Sequence, residues 1–438
     1  MTQPSLTLTP LRPGLPGESD ASLDVLARVR VPDLPADAAR ERAPLNLAIV
    51  IDRSGSMQGR PIEAAKEAAR RIVTSLRAGD RVAVIAYDHD VETIVPSSDA
   101  SAAKEMLASI AGITSRGMTN LHGGWLAGAE QVAEHLRADA INRVILLSDG
   151  AQNKGVTDAD EIARQCAYMA ERGVETSTYG VGASFNEDLM TDMAAKGRGN
   201  SYYGETAEDL VPAFETELGV LSNTVGKNVR IKARAGKKMA GLELLNQYTP
   251  EGDGWRMPNL VADAEVWALF RVKVKNLPAD EAKTKALEVE VAYEDADGRP
   301  ATPLTAKLKL PVLAKARFDA LEADSTVSAR AQEVEAARLQ LDAKQAARRG
   351  DWADVDQTVA ALRGMAGDNP YVGEVADSLA NLSACRNAQL FSKEATFAAS
   401  AMQSRYAALD EDATSLRDSS ASKSYTTRRT RQGRHSAN

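Results

Sequence analysis

Residues 45–57 read Leu45-Asn46-Leu47-Ala48-Ile49-Val50-Ile51-Asp52-Arg53-Ser54-Gly55-Ser56-Met57, and this stretch decides the fold. Its first part is almost entirely apolar and rich in Ile, Leu and Val, which predicts a strand buried on both faces. The strand ends at Asp52, and Ser54 and Ser56 follow on either side of Gly55, which allows a tight turn. In open α/β folds the carboxyl ends of parallel strands bind ligands. One carboxylate and two hydroxyls at that place suit a hard cation such as Mg²⁺, so the stretch predicts a metal site.

The composition bounds the class of protein. A chain of 438 residues is long enough for two or three domains, and 44% hydrophobic with 26% charged residues is ordinary for a soluble globular protein. The net charge of -8 argues against a general nucleic-acid binder. No apolar run approaches the ~20 residues of a membrane span, and the first residues lack the pattern of a secretory signal. Cys166 and Cys385 lie far apart in helical patterns typical of buried free thiols, so we expect a reducing cytoplasm.

The pattern of apolar residues changes along the chain and predicts its domains. From Asn46 onwards strands and helices alternate, which predicts a Rossmann-like, doubly wound, mostly parallel sheet. Period-two runs on both sides of it predict antiparallel strands of one β-sandwich, into which the α/β domain is inserted or beside which it lies. An Ala-rich helical pattern follows, and then a basic Ser/Thr/Arg tail that we expect to be disordered. The predicted segments are sandwich strands (1–43), α/β domain (44–222), sandwich (223–315), α-helical region (316–412) and tail (413–438).

Two further oxygen donors lie where such a metal site needs them. Thr119 lies in a Gly-containing loop just before a predicted helix, and Asp149 ends the predicted strand that begins at Arg143. If these strands are neighbours in the sheet, the side chains at their carboxyl ends converge on one point. The candidate metal-binding residues are Asp52, Ser54, Ser56, Thr119 and Asp149.

Three elements in this order resemble the metal-ion-dependent adhesion site of von Willebrand factor A domains: Asp-x-Ser-x-Ser at Asp52, the later Thr119, and the strand end Ser148-Asp149-Gly150. The resemblance covers residues 44–222 and is greater to bacterial intracellular members than to extracellular adhesins. It implies a divalent cation, Mg²⁺ first and Mn²⁺ or Ca²⁺ as alternatives. The Ser and Thr hydroxyls would bind it directly, and the two Asp residues mainly through waters.

The resemblance also implies the kind of partner. A cation bound directly only by neutral protein oxygens keeps much of its charge, so it would take a Glu or Asp carboxylate from a partner protein as a further ligand. The leading hypothesis is therefore a cytoplasmic protein-binding module, with the sandwich and helices as scaffold. Two alternatives stay open. One is an accessory protein of an AAA+ ATPase of the MoxR or chelatase type. The other is a signalling component whose tail hydroxyls, among them Ser422 and Thr427, are recognised by a kinase or a phosphothreonine-binding protein.

Simpler interpretations exist for several of these residues. The two Ser hydroxyls alone equally fit a helix N-cap, and Asp149-Gly150 alone fits a turn. His89, between Asp88 and Asp90, could mark a second metal site, although we favour a polar turn. His122 is better explained as a helix-start residue than as a ligand. The sequence has four His and neither Gly-x-Ser-x-Gly nor His-Glu-x-x-His, so we do not expect an enzyme.

Overall fold

The computed structural model describes residues 3–32, 43–149, 153–181, 185–204, 217, 219–220, 223–279, 283–367, 369–404 and 407–408. They divide into two compact units. One unit comprises residues 41–223 with 296–298, and the other comprises residues 1–40, 224–295 and 299–438.

The elements follow one another in chain order. The strands are β1 (Ser5–Pro10), β2 (Leu15–Pro16), β3 (Ala21–Val31), β4 (Leu45–Asp52), β5 (Arg81–Tyr87), β6 (Val91–Asp99), β7 (Ile141–Ser148), β8 (Glu175–Val181), β9 (Arg198–Gly204), β10 (Thr224–Ala235), β11 (Met239–Leu244), β12 (Pro250–Glu251), β13 (Gly254–Arg256), β14 (Leu260–Val261), β15 (Ala264–Val274), β16 (Thr284–Asp295), β17 (Leu304–Leu310), β18 (Val312–Leu313) and β19 (Ala407–Ala408). The helices are α1 (Arg60–Thr74), α2 (Ala103–Ala111), α3 (Leu121–Glu134), α4 (Ala159–Glu171), α5 (Glu187–Lys196), α6 (Lys315–Asp319), α7 (Ser325–Arg348), α8 (Trp352–Ala366), α9 (Pro370–Ala384) and α10 (Ala388–Ser404).

The first unit is built on the sheet β6-β5-β4-β7-β8-β9. All neighbouring strands in it are parallel except β5 and β6. Strand β6 lies at the edge of the sheet and runs antiparallel to β5. Every residue of β4 is buried, as its continuous apolar run predicts. Numbered within the unit, the order is 3-2-1-4-5-6, the doubly wound order in which the strand order reverses between the first and fourth strands, which themselves run parallel. The carboxyl ends of β4 and β7 therefore form the crevice where such folds bind ligands.

Helix α3 lies close to the sheet because two of its positions carry no side chain. A Cβ atom at Gly124 would lie 2.3 Å from the Tyr87 ring, and one at Gly128 would lie 2.4 Å from Val50. The absence of a side chain at these two positions therefore allows the close packing of α3 on the sheet. The close approach places the first turn of α3, and the loop before it, over the carboxyl ends of β4 and β5.

The second unit combines strands that precede the α/β unit in the sequence with strands that follow it. All eleven residues of β3 pair antiparallel with β15, from Ala21 opposite Val274 to Val31 opposite Ala264. One sheet has the order β1-β3-β15-β11, with β19 also on β15, and another has the order β12-β13-β10-β16-β17, with β14 also on β10. The predicted fold class, a doubly wound sheet inserted in or flanked by an antiparallel sandwich in the sequence and followed by helices, is confirmed. Strand β11 was not predicted.

Helices α7 to α10 share an Ala-rich core, and α7 also packs on the sandwich. The Arg330 guanidinium lies 4.9 Å from the centre of the buried Trp267 ring. Cys166 is buried, but Cys385 is exposed and follows α9, so the expectation of a buried thiol was wrong there. The predicted tail lies outside the described residues. None of the described helices combines the length and apolarity that a bilayer crossing requires.

Candidate metal centre

Asp52 ends β4 with its side chain fully buried. Its Oδ2 accepts hydrogen bonds from the Ser148 hydroxyl at 2.6 Å and the Tyr87 hydroxyl at 3.2 Å. Its Oδ1 accepts one from the Ser54 amide at 2.8 Å. Donors from both neighbouring strands and from the following loop thus fix the orientation of this carboxylate at the crevice.

Ser54 and Ser56 lie in the turn that follows. Their hydroxyl oxygens are 3.1 Å apart; Ser54 is buried and Ser56 is exposed, so the pair connects the interior with the surface. Ser54 precedes a short 3₁₀ turn but makes no side-chain capping bond, and the N-cap of α1 is Gly59. The N-cap interpretation is therefore wrong, and the capping of a helix does not account for these hydroxyls.

Thr119 is buried in the loop before α3. That loop meets the Ser54–Ser56 turn, because the Gly55 amide donates to the Gly117 carbonyl at 3.1 Å. It also meets the segment after β7, because Asn153 accepts a bond from the Thr119 amide at 2.8 Å and returns one to the Thr119 carbonyl at 3.1 Å. Backbone bonds thus bring the three loops of the sequence motif side by side.

Asp149 is buried directly after β7, one residue beyond the Ser148 hydroxyl that binds Asp52. Burial and the nearby Asp149 carboxylate together raise the pKa of Asp52 from its ordinary 3.8 to about 6. A carboxylate whose charge is disfavoured by burial and by a second carboxylate forms a place where a cation would be stabilised. Gly150 lies outside the described residues, so the predicted Asp149-Gly150 turn is not described.

Asp88 holds the surrounding loops, and sequence reasoning missed this role. Its buried Oδ2 accepts bonds from Arg53 at 2.8 Å and from Arg116 at 2.9 Å. Its carbonyl accepts the Asn120 amide at 2.8 Å. The residue therefore links the segment beside Asp52 with both sides of the Thr119 loop. Its conspicuous place directly after β5 was the only indication in the sequence.

Asp88, His89 and Asp90 form the one His/Asp cluster with metal-ligand spacing found among the described residues, with ligand atoms within 4.8 Å of one another. Burial opposes the charge of Asp88, but bonds from the Asp90 amide and from two guanidinium groups outweigh it and lower its pKa to about 2. Because these donors already use its oxygens, we retain the polar-turn interpretation. His122 binds Gln165 at 2.7 Å in the first turn of α3, consistent with a helix-start residue.

Comparisons with known proteins agree with this architecture. Residues 46–216 match the family model described as von Willebrand factor type A domain. An uncharacterized protein of Synechocystis, sll0103, is 25% identical over 65% of this chain and 69% of its own length. The uncharacterized protein YfbK of Escherichia coli is 31% identical over 48% of this chain, but only 35% of its length is matched, so the chain spans about a third of that relative.

The fold extends beyond the family match. A solved structure described as von Willebrand factor type A from Catenulispora acidiphila superposes with a TM-score of 0.66 at 17% identity, over 85% of this chain and 89% of that one. At this identity the likeness concerns the fold alone. Together with the strand order and the match of the family model, it identifies residues 46–216 of this chain as a von Willebrand factor type A domain.

Proposed function

We propose that this chain is a metal-dependent protein-binding scaffold whose α/β unit captures an acidic residue of a partner protein. A divalent cation, Mg²⁺ first and Mn²⁺ or Ca²⁺ as alternatives, would be held by the hydroxyls of Ser54, Ser56 and Thr119. Asp52 and Asp149 would support it through water. The observation that carries the proposal is that two buried carboxylates, Asp52 and Asp149, lie near each other at the switch point of the sheet, where the Ser54 and Ser56 hydroxyls follow Asp52.

The donor set fits a hard cation. Two oxygens in adjacent positions of an octahedral ion, with bonds of about 2.0–2.1 Å, lie about 3 Å apart. The Ser54 and Ser56 oxygens are 3.1 Å apart without any change of rotamer. The same ion would offset the burial and the repulsion by Asp149 that together raise the pKa of Asp52, so the arrangement supports a bound cation on geometric and on electrostatic grounds.

The kind of partner follows from the charge of such a site. Hydroxyl ligands carry no charge, so the cation would remain attractive to a carboxylate arriving from solvent beside the exposed Ser56. Von Willebrand factor A domains are generally protein-interaction modules, commonly bind a divalent metal, and occur in proteins that are usually not catalytic. These family properties support binding rather than catalysis for this chain.

Metal binding is tested first by titrating Mg²⁺, and Mn²⁺ followed by its electron paramagnetic resonance, into the full chain and two variants. Asp52→Ala removes one of the buried acids. Asp90→Asn changes an exposed acid of the Asp88-His89-Asp90 turn. We expect loss of binding in Asp52→Ala and wild-type binding in Asp90→Asn. The opposite result would place the metal in the polar turn and refute the proposed site.

Partner capture is then tested with wild-type and Asp52→Ala protein as baits in host lysate, each in Mg²⁺ and in EDTA. A protein retained only by the wild type in Mg²⁺ would support the proposal, and substitution of its acidic residues would locate the ligand. Partners unchanged in all four conditions would refute metal-dependent capture. The ATPase and phosphorylation alternatives and a cytoplasmic location remain predictions, and the tail hydroxyls lie outside the described residues.

A further inference from the structure

One apolar side chain is exposed at the edge of the candidate metal centre. Met118, adjacent to Thr119, is 50% exposed, and is among the few large apolar side chains of the described residues with so much exposed surface. A single exposed methionine is unremarkable by itself. Its position is informative, because a carboxylate that reached the metal centre would bring its neighbouring residues against this side chain.

The loop that carries Met118 is fixed on both sides. Arg116 donates its amide to the Arg53 carbonyl at 2.7 Å, the Gly117 carbonyl accepts from Gly55, and the Thr119 amide donates to Asn153. Gly117 has φ +72°, and a Cβ there would lie 2.4 Å from the Nδ1 of His89, so the turn requires glycine. Met118 is therefore held outward by a rigid backbone, and a ligand that covered it would not need to order the loop.

A lysine side chain, that of Lys154, supplies positive charge near the same threonine. The Lys154 amide donates to the Thr119 carbonyl at 3.2 Å, and its ammonium donates to the His89 carbonyl at 2.9 Å. Lys154 is exposed. No carboxylate oxygen of the described residues lies within 4.0 Å of its ammonium nitrogen, the distance limit for an ion pair. Lys154 differs in this respect from the nearby Arg53 and Arg116, which both form ion pairs with Asp88.

We infer that Met118 and Lys154 form a specificity rim for the proposed metal-dependent capture. The occupant is an acidic segment of a partner protein. One carboxylate reaches the metal centre, an apolar side chain beside it covers Met118, and a second carboxylate pairs with Lys154. The inference rests on the proposed function and adds the sequence character of the partner, since the metal alone would accept any accessible carboxylate.

The test is selection of phage-displayed random short peptides on the immobilised full chain in Mg²⁺, with elution by EDTA. We expect the eluted peptides to contain an acidic residue with an apolar neighbour and a second acid. Met118→Ser should keep the acidic residue and lose the apolar preference, and Lys154→Gln should lose the second acid. Leu136→Ser is the matched control, because Leu136 is 45% exposed and lies before β7, at the opposite end of that strand from Asp149.

A peptide recovered with wild type is then titrated against each variant. Met118→Ser should weaken its binding by about tenfold, the loss expected for truncation of one contributing interface side chain, whereas Leu136→Ser should leave it unchanged. Acidic peptides with random neighbours would overturn the rim and leave metal-dependent capture intact. Recovery of no EDTA-eluted peptide from wild type would overturn both.

Discussion

Replacement of Asp52 by Asn is expected to stabilise the metal-free chain and to abolish its metal binding. Burial and Asp149 raise the pKa of Asp52 to about 6, so at neutral pH the folded chain holds an ionised group that would be more stable as a neutral one. Asn is neutral and nearly isosteric. Its amide oxygen can accept from the Ser54 amide, and its NH₂ can donate to the hydroxyls of Ser148 and Tyr87, because hydroxyls also accept hydrogen bonds.

The magnitude follows from the difference between the ordinary pKa of 3.8 and the folded value of about 6. It corresponds to about 3 kcal/mol at a pH above both values. Because the folded pKa is the higher one, this cost is absent below pH 3.8, grows between pH 3.8 and about 6, and is constant at higher pH. Imperfect hydrogen bonding by Asn reduces the gain, so we expect about 1–3 kcal/mol at pH 7.5, or about 2–4 °C in Tm for each kcal/mol.

The assay is thermal unfolding of wild type, Asp52→Asn and the exposed control Asp90→Asn in EDTA, from acidic to neutral pH. The advantage of Asp52→Asn should be largest above pH 7 and should vanish in acid. Saturating Mg²⁺ should reverse the order, since only the wild type gains stability from the ion. An Asp52→Asn chain less stable than wild type in EDTA at pH 7.5, or a difference independent of pH, would refute the reasoning.

Three further substitutions test the architecture around the site. Asp88→Asn should lower metal affinity although Asp88 is not a proposed ligand, and it should cost about 3 kcal/mol in unfolding experiments, because the buried Arg53 guanidinium loses the buried one of its two carboxylate partners; unchanged Mg²⁺ titration would contradict a positioning role. Gly124→Ala should destabilise the chain by about 1–3 kcal/mol, because its Cβ would lie 2.3 Å from Tyr87; equal denaturant midpoints would exclude that clash. Glu217→Gln should cost about 3–5 kcal/mol, because fully buried Glu217 pairs with Arg143, while Mg²⁺ affinity stays unchanged.

The parts of the fold that carry a strong hydrophobic pattern could be predicted from the sequence. The run ending at Asp52 is buried along its whole length, and a strand of that kind has little alternative to the centre of a parallel sheet. The alternation of apolar and polar residues in Ala21–Val31 and Ala264–Val274 likewise predicted two strands. They pair with each other although the α/β unit separates them in the sequence. In these segments, local pattern and tertiary environment favour the same structure.

Other parts depend on contacts that no local pattern encodes. Met239–Leu244 contains Gly241 and alternates weakly; it becomes a strand because the edge of Ala264–Val274 supplies its hydrogen-bond partners. Asp88 looks like a turn residue, and its role arises only because Arg53 and Arg116, distant in sequence, meet its carboxylate. The exposure of Met118 is equally a property of the folded loop.

At the candidate centre, the groups that position the loops differ from the hydroxyl groups that we propose bind the cation. The loops are joined largely by backbone groups, such as Gly55 to Gly117 and Thr119 to Asn153, and by the buried Asp88. The Ser hydroxyls are therefore not required to hold the loops together. The charge of Asp52 is unfavourable there, since burial and the nearby Asp149 carboxylate raise its pKa. A site whose loops are held in place by groups other than the proposed ligand side chains, and where burial and a second carboxylate raise the pKa of Asp52, has the physical character of a place prepared for a cation.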